Sequence, residues 1–124
     1  MEGVPEFQSI SLGMSLPHLG NRVRVRVDRP LGSRHPRHGF RYELNYGHVP
    51  GTLAPDGEEL DAYLIGIDVP VTELSGVCIA VIHRLNDDDD KLVVVTPGVD
   101  PTYSEIAAAV AFQEREGEYE IRRQ

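Results

Sequence analysis

Short apolar strands follow one another in this chain with turns between them, and that order restricts the fold more than any single residue does. Val23, Val25 and Val27 alternate with Arg24, Arg26 and Asp28, the period of a strand with one buried face, until Pro30 stops it. Residues 60–67 read as a second strand, residues 76–84 as a third that is apolar enough to be central, and residues 91–96 as a fourth. The tetrad Asp87-Asp88-Asp89-Asp90 is the hairpin turn between the last two. Thr102 to Glu105 has the form of a capping box, and Ile106, Ala109, Val110 and Gln113 then share one helical face. This predicts one helix to about Glu116, ended by Gly117, and a last short strand around Tyr119 and Ile121. No strand-helix-strand unit repeats, so the pattern predicts a mostly β protein with one α-helix, arranged as a small, mostly antiparallel barrel.

A chain of 124 residues supports one domain with one core. No apolar stretch approaches the ~18 residues of a membrane span, and residues 1–20 lack the basic start and apolar centre of a secretory signal. They are expected to form a flexible N-terminal arm, in which Met14 is an alternative start, with the barrel domain over residues 21–124. Cys78 is the only cysteine and sits in an apolar run, which reads as a buried inert thiol and suits a reducing cytoplasm. No membrane partner is expected.

Charge is segregated. The net value is -8, yet Arg22, Arg24, Arg26, Arg29, Arg34, Arg37 and Arg41 share one segment with Asp28 as its only acid until Glu43. Within it, residues 30–39 are rich in turn formers and cations and read as a loop leading to an extended segment around Phe40 to Leu44. Such a division suits carboxylates satisfied by bound cations beside arginines that hold an anionic substrate; a basic strand face packed on an acidic one is the plainer reading. Downstream, Asp56, Glu58, Glu59 and Asp61 crowd a turn that feeds directly into a strand. The first three can stay in water. Asp61 lies inside Leu60-Asp61-Ala62-Tyr63-Leu64-Ile65, where a lone carboxylate is costly to bury unless it is paired or metal-bound.

Asn45-Tyr46-Gly47, followed by Asp56-Gly57-Glu58-Glu59-Leu60-Asp61, resembles the active-site segment of the soluble family I inorganic pyrophosphatases. The resemblance covers roughly residues 22 to 96 and is strongest over residues 44 to 63. It implies a five-stranded OB-like barrel, here a small antiparallel one, that hydrolyses pyrophosphate with Mg²⁺ or Mn²⁺ as cofactor. By this resemblance Asp56 and Asp61 are metal ligands, and Glu58 stands at the aspartate associated with the attacking water. Tyr46 binds a phosphate oxygen, and Asp28 sits at the rim of the metal site. Asp89-x-Lys91 matches a later pair in which the aspartate binds metal and the lysine binds phosphate; Asp87 with Asp89 is the favoured ligand choice within the tetrad. Arg34, Arg37 and Lys91, the only lysine in the chain, are the candidate cations for the leaving phosphate, with Arg41 a further candidate for the family's second basic position. Hard oxygen donors of this kind select Mg²⁺ or Mn²⁺.

The chain also departs from the family pattern. Glu58 replaces an aspartate, which moves the carboxylate by ~1.5 Å, a misplacement that can cost on the order of 10²-fold in rate. The segment between Asp28 and Asn45 is shorter than in full-length members, and the family's Tyr-Lys pair at the end of the C-terminal helix is matched only by Arg115-Glu116-Gly117. Three function classes follow: a pyrophosphate hydrolase; a hydrolase of another phosphoanhydride, such as a nucleotide or organic diphosphate, using a more open site; and a noncatalytic OB-like binding module. Nucleic acid is not expected as a partner of a chain with net charge -8 and eight aromatics, five Tyr and three Phe. Self-association into a homo-oligomer is expected of so small a domain.

Overall fold

The structure, a computed structural model, describes residues 9–124. Its elements in chain order are α1 (Ile10–Ser15), a 3-10 turn (Leu16–His18), β1 (Arg22–Arg29), β2 (Asn45–His48), β3 (Asp61–Ile65), β4 (Glu73–Arg84), β5 (Lys91–Val95), α2 (Tyr103–Val110) and β6 (Tyr119–Arg123). The strands are ordered β1-β2-β3-β5-β4-β6, and a further pairing of β1 with β4 closes five of them into a barrel. Closure depends on the length of β4. Its first half pairs with β1 through Arg22–Val77 to Arg26–Glu73; from Val77 on it pairs with β5, across an irregularity between Cys78 and Ala80, and from Ala80 on also with β6. A break of that kind bends a strand and lets it serve two sides of a barrel.

Two expectations are corrected. The barrel is mixed, because β3 and β5 run parallel in the register Asp61–Lys91 to Ile65–Val95, while the other pairs are antiparallel. Strand polarity here follows from a crossover: the chain passes through all of β4 before the hairpin returns it beside β3. There are also two short α-helices among the described residues. The one expected near the C-terminus is capped as predicted, with Thr102 Oγ1 accepting from Glu105 N at 3.1 Å and Glu105 Oε1 accepting from Thr102 N at 2.8 Å. It ends at Val110, and tighter turns carry the chain on toward Gly117. The extended segment expected at Phe40 to Leu44 contributes only an isolated bridge, Arg34 to Arg41; the strand is Asn45–His48.

Residues 9–20, in the segment expected as an arm, comprise α1 and the 3-10 turn, and residues 1–8 lie outside the described residues. Ser9 caps α1 by accepting from Leu12 N at 3.1 Å and donates to Asp88 Oδ1 at 2.6 Å, while Ser11 N donates to the same oxygen at 2.9 Å. These bonds tie α1 to the acidic hairpin and hold the Asp88 carboxyl below its ordinary range.

Alternation along β5 explains its continuous apolar sequence. Leu92 and Val94 join Val25, Leu60, Ala62, Leu64 and Val81 in one core cluster, whereas Val93 joins Tyr63, Ile82, Ile106 and Val110 in a second one beneath α2. Both faces are buried. Asp61 and Lys91 begin their strands two residues before Tyr63 and Val93, so they fall on the α2 side of the sheet at one end of the barrel. Among the described residues no helix is long and apolar enough to cross a membrane.

Candidate active site

Lys91 is the centre of the site. Its side chain is 3% exposed, and its Nζ lies 2.8 Å from Asp61 Oδ2 and 2.9 Å from Asp89 Oδ2. The partner that Asp61 requires is therefore the residue opposite it in the parallel ladder, and Asp89 reaches the same ammonium from the hairpin. The Tyr46 ring stands over this group, its centroid 5.7 Å from Nζ. Burial, reinforced by the Asp61 carboxylate, pushes the Tyr46 hydroxyl well above its ordinary pKa, so it remains a hydrogen-bond donor at neutral pH.

These groups form the floor of a cleft of about 1030 Å³. One wall comes from the turn after α2. Glu114, with a side chain 3% exposed, accepts from Arg84 Nε at 3.1 Å and Nη2 at 2.9 Å, and from the Tyr63 hydroxyl at 2.6 Å. Gln113 Nε2 donates to that hydroxyl at 2.8 Å. Burial opposes charge on Arg84, but its hydrogen bonds to Glu114 and the carboxylate's charge more than offset this and raise its pKa further. Arg84 Nη1 also lies 3.3 Å from Asp87 and 3.9 Å from Asp89, so one guanidinium joins the α2 turn to the acidic hairpin. Arg29 and Arg115 reach the cleft from β1 and from beyond Glu114. The opposite wall is aromatic, formed by His35, His38, Phe40 and Tyr42 of the loop after β1, with Phe112 beside them.

Of the residues singled out in the sequence, Tyr46, Asp61, Asp89 and Lys91 come together on the floor, and Asp28 lies at the rim. There Asp28 pairs with His48 Nδ1 at 2.7 Å, while His48 Nε2 is 3.4 Å from Glu59. Asp56 and Glu58 sit in the exposed turn outside the cleft lining, with Asp56 Oδ1 accepting from Glu58 N at 2.9 Å. Asp87 faces cavities on the other side of Arg84. Arg34 donates to Gly39 O at 3.1 Å and Arg41 to Gly32 O at 2.9 Å, both within their own loop, and neither these two nor Arg37 lines the cleft. Asp90 is turned inward, where it accepts from Arg84 N at 2.9 Å and pairs with His83 at 3.0 Å.

The family description "Inorganic pyrophosphatase" matches residues 18–118. The chain belongs to that family. It is similar to an inorganic pyrophosphatase of Rhodospirillum rubrum, with 32% identity over 63 residues, 48% of this chain and 35% of that protein, so the match spans about a third of the relative's length. Among solved structures, it resembles an inorganic pyrophosphatase from Ehrlichia chaffeensis with a TM-score of 0.66 and 19% identity, covering 85% of this chain and 87% of that one, a likeness of fold. The inorganic pyrophosphatase from Neisseria gonorrhoeae gives a TM-score of 0.53 and 28% identity over 71% of this chain and 61% of its own.

Among the described residues, no group of three or more His, Cys, Asp or Glu side chains is gathered to hold a metal ion. The donor chemistry nonetheless suits one. Asp61 and Asp89 bring two carboxylates to one point at the cleft floor, and Mg²⁺ is ordinarily held by one or two carboxylates with its other positions filled by water and substrate phosphates. Sequence reasoning did not find Arg29 or the Arg84–Glu114 pair as parts of the cleft. Gln113, placed on the buried helical face, was the one sign that the α2 end turns inward.

Proposed function

We propose that this protein hydrolyses inorganic pyrophosphate to two phosphates in a divalent-metal-dependent reaction, with Mg²⁺ or Mn²⁺ as the cation. The observation that carries the reading is the convergence of Asp61, Asp89 and Lys91 beneath Tyr46 inside the family-matched segment. Asp61 and Asp89 are the principal cation ligands and Asp28 at the rim a further one, whereas Asp56 and Asp87, which lie outside the cleft lining, would have to move toward the floor to take ligand positions. The bound cation would neutralise phosphate oxygens and ease deprotonation of the attacking water. Lys91 is already oriented by its two carboxylates and would place a positive charge against the phosphate that leaves, while the protonated Tyr46 donates a hydrogen bond to it. Glu58 is assigned as the acceptor of the water's proton, a role for which the exposed turn that carries it outside the cleft lining would have to fold inward. Arg29 lines the floor beside these groups and supports substrate binding more directly than Arg34 or Arg37, which would have to swing in from the loop. The buried free Cys78, its thiol pushed up to about 11 by burial, supports a cytoplasmic setting. Self-association into a homo-oligomer remains part of this proposal.

The test is phosphate release from pyrophosphate with Mg²⁺ or Mn²⁺, with Asp61→Asn and Lys91→Met run beside the wild type. Loss of a preorganised charged contact predicts a fall in kcat on the order of 10²- to 10³-fold in each variant. Wild-type activity that persists undiminished in both would remove the floor from the mechanism.

A further inference from the structure

The cleft is far larger than its proposed substrate. At about 1030 Å³ it has the volume of sites that enclose drug-sized ligands, whereas pyrophosphate is much smaller. The surplus lies along the aromatic wall. Starting over Lys91, the Tyr46 ring stacks on Tyr42 at 5.5 Å between centroids, Tyr42 meets Phe40 at 5.4 Å, and Phe40 is parallel to His38 within 4° at 6.3 Å. The row thus runs from the charged floor outward. Tyr42 is buried; Phe40, beside His35 at 4.9 Å and Phe112 at 6.1 Å, is half-buried, and His38, 4.6 Å from His35, is exposed, so part of the outer rings is open to the cleft.

The loop that carries them is held in place. His35 N donates to Phe40 O at 2.8 Å and Gly39 N to His35 O at 3.1 Å, while His35 Nδ1 accepts from the backbone N–H groups of both Arg37 and His38 at 3.1 Å. A ring nitrogen that accepts two hydrogen bonds carries no proton, so His35 is a neutral ring here. Partial burial and the nearby His38, Arg29 and Arg37 also lower its pKa. The neutral rings of His35, Phe40 and Tyr42 offer little to a second phosphate group and much to the π-face of a heteroaromatic base.

We propose that this wall is a ring-binding subsite and that the protein accepts nucleoside diphosphates, with the diphosphate on the Lys91 floor and the base stacked on Phe40 and His38. The proposal rests on the reading of that floor as a diphosphate site. The two inner rings, Tyr46 and Tyr42, lie between the floor and the outer rings, so the pentose of such a ligand would run along them. In the reaction, water attacks the β-phosphorus and the anhydride P–O bond breaks. The bridging oxygen leaves with the nucleoside monophosphate, orthophosphate is the second product, and one proton passes to solvent.

The experiment measures KM and kcat with Mg²⁺ for ADP, methyl diphosphate and pyrophosphate, and binding of each by calorimetry, in the wild type, Phe40→Ala and His38→Ala. Stacking predicts a KM for ADP roughly 5- to 100-fold below that for methyl diphosphate. This advantage is expected to disappear in Phe40→Ala and to shrink in His38→Ala, whose exposed position makes misfolding an unsuitable explanation. Equal KM and affinity for ADP and methyl diphosphate, or an ADP advantage untouched by both substitutions, overturns the subsite. Pyrophosphate hydrolysis without any ADP advantage refutes this proposal and leaves the pyrophosphatase reading intact. Preferential, Phe40-dependent binding of ADP by a protein that does not cleave pyrophosphate upholds the subsite and refutes that reading.

Discussion

Replacing Glu114 by Gln tests whether the cleft wall is held by charge or by shape. The substitution keeps the side-chain volume and one acceptor oxygen but removes the negative charge and turns an N–H₂ toward the Arg84 guanidinium, which now donates two hydrogen bonds to the carboxylate at 2.9 and 3.1 Å. Breaking a buried ion pair by removing one partner costs about 3–5 kcal/mol. That range is reduced here because Arg84 is 19% exposed and keeps Asp87 at 3.3 Å. The Tyr63 hydroxyl can still donate to the amide oxygen, so its bond is largely preserved. A loss of about 2–3 kcal/mol remains, which for a domain of this size lowers Tm by roughly 8–15 °C. Urea unfolding gives the free energy directly, provided the m-value is unchanged, and Glu116→Gln, at an exposed position on the same turn, serves as the reference with an effect within about 0.5 kcal/mol. Coupling to Tyr63→Phe in a double-mutant cycle should amount to about 0.5–3 kcal/mol. Equal stability of Glu114→Gln and Glu116→Gln would show that the pair is not what holds the α2 turn against the barrel.

Alkaline pH should unfold the protein through Tyr46 and Tyr63, whose hydroxyls are both pushed well above the ordinary value, chiefly by burial. Above about pH 10 the unfolded chain releases these protons while the folded chain keeps them, so stability falls as pH rises toward the folded values, by about 1.4 kcal/mol per pH unit for each tyrosine, on top of a loss that begins near pH 9 because the folded chain holds the Cys78 thiol up to about 11. Chemical denaturation at a series of pH values should give a slope shallower by about 1.4 kcal/mol per pH unit in Tyr63→Phe, and an unchanged slope would refute the assignment. Gly47→Ala should cost more than about 3 kcal/mol or prevent folding, because its Cβ would stand 1.8 Å from the Arg26 carbonyl oxygen of the adjacent strand, and a thermal melt near that of the wild type would contradict the packing.

Most strands were legible, β1 and β6 by their alternation and β3 to β5 as short apolar runs between turns, while β2 lies beyond the extended segment expected at Phe40 to Leu44; Asp61 was legible as an anomaly because a carboxylate at the head of an apolar strand demands a partner. Its partner is Lys91, thirty positions on in the same register line, and the sequence signal was the placing of the only lysine directly behind the aspartate tetrad. Strand polarity was not legible. Whether β3 meets β5 parallel or antiparallel depends on which barrel edge the crossover reaches, and no residue in either strand records it. Glu114 was hidden for a different reason. It lies in Gln113-Glu114-Arg115-Glu116, a polar run that reads as a solvated helix end, and only Arg84 and Tyr63 arriving from the sheet make its burial favourable. Four rings of the aromatic wall are close together in the loop after β1, but their meeting with Tyr46 of β2 and Phe112 of the turn after α2 left no local trace.

The tripeptide Asn45-Tyr46-Gly47 divides scaffold from chemistry. Asn45 is fully buried, accepts from Leu31 N at 3.0 Å and Val71 N at 3.2 Å, and donates to Val69 O at 2.9 Å, so one side chain ties together the loops after β1 and β3. Gly47 permits β2 to lie against the Arg26 carbonyl, as no side chain could. Neither residue lines the cleft. Between them Tyr46 is forced onto the opposite face, over Lys91, and its position is fixed by two neighbours that lie outside the cleft. Displacing Asn45 or Gly47 would move the Tyr46 hydroxyl as surely as removing it, and the short spacing of the tripeptide is what makes scaffold and donor inseparable.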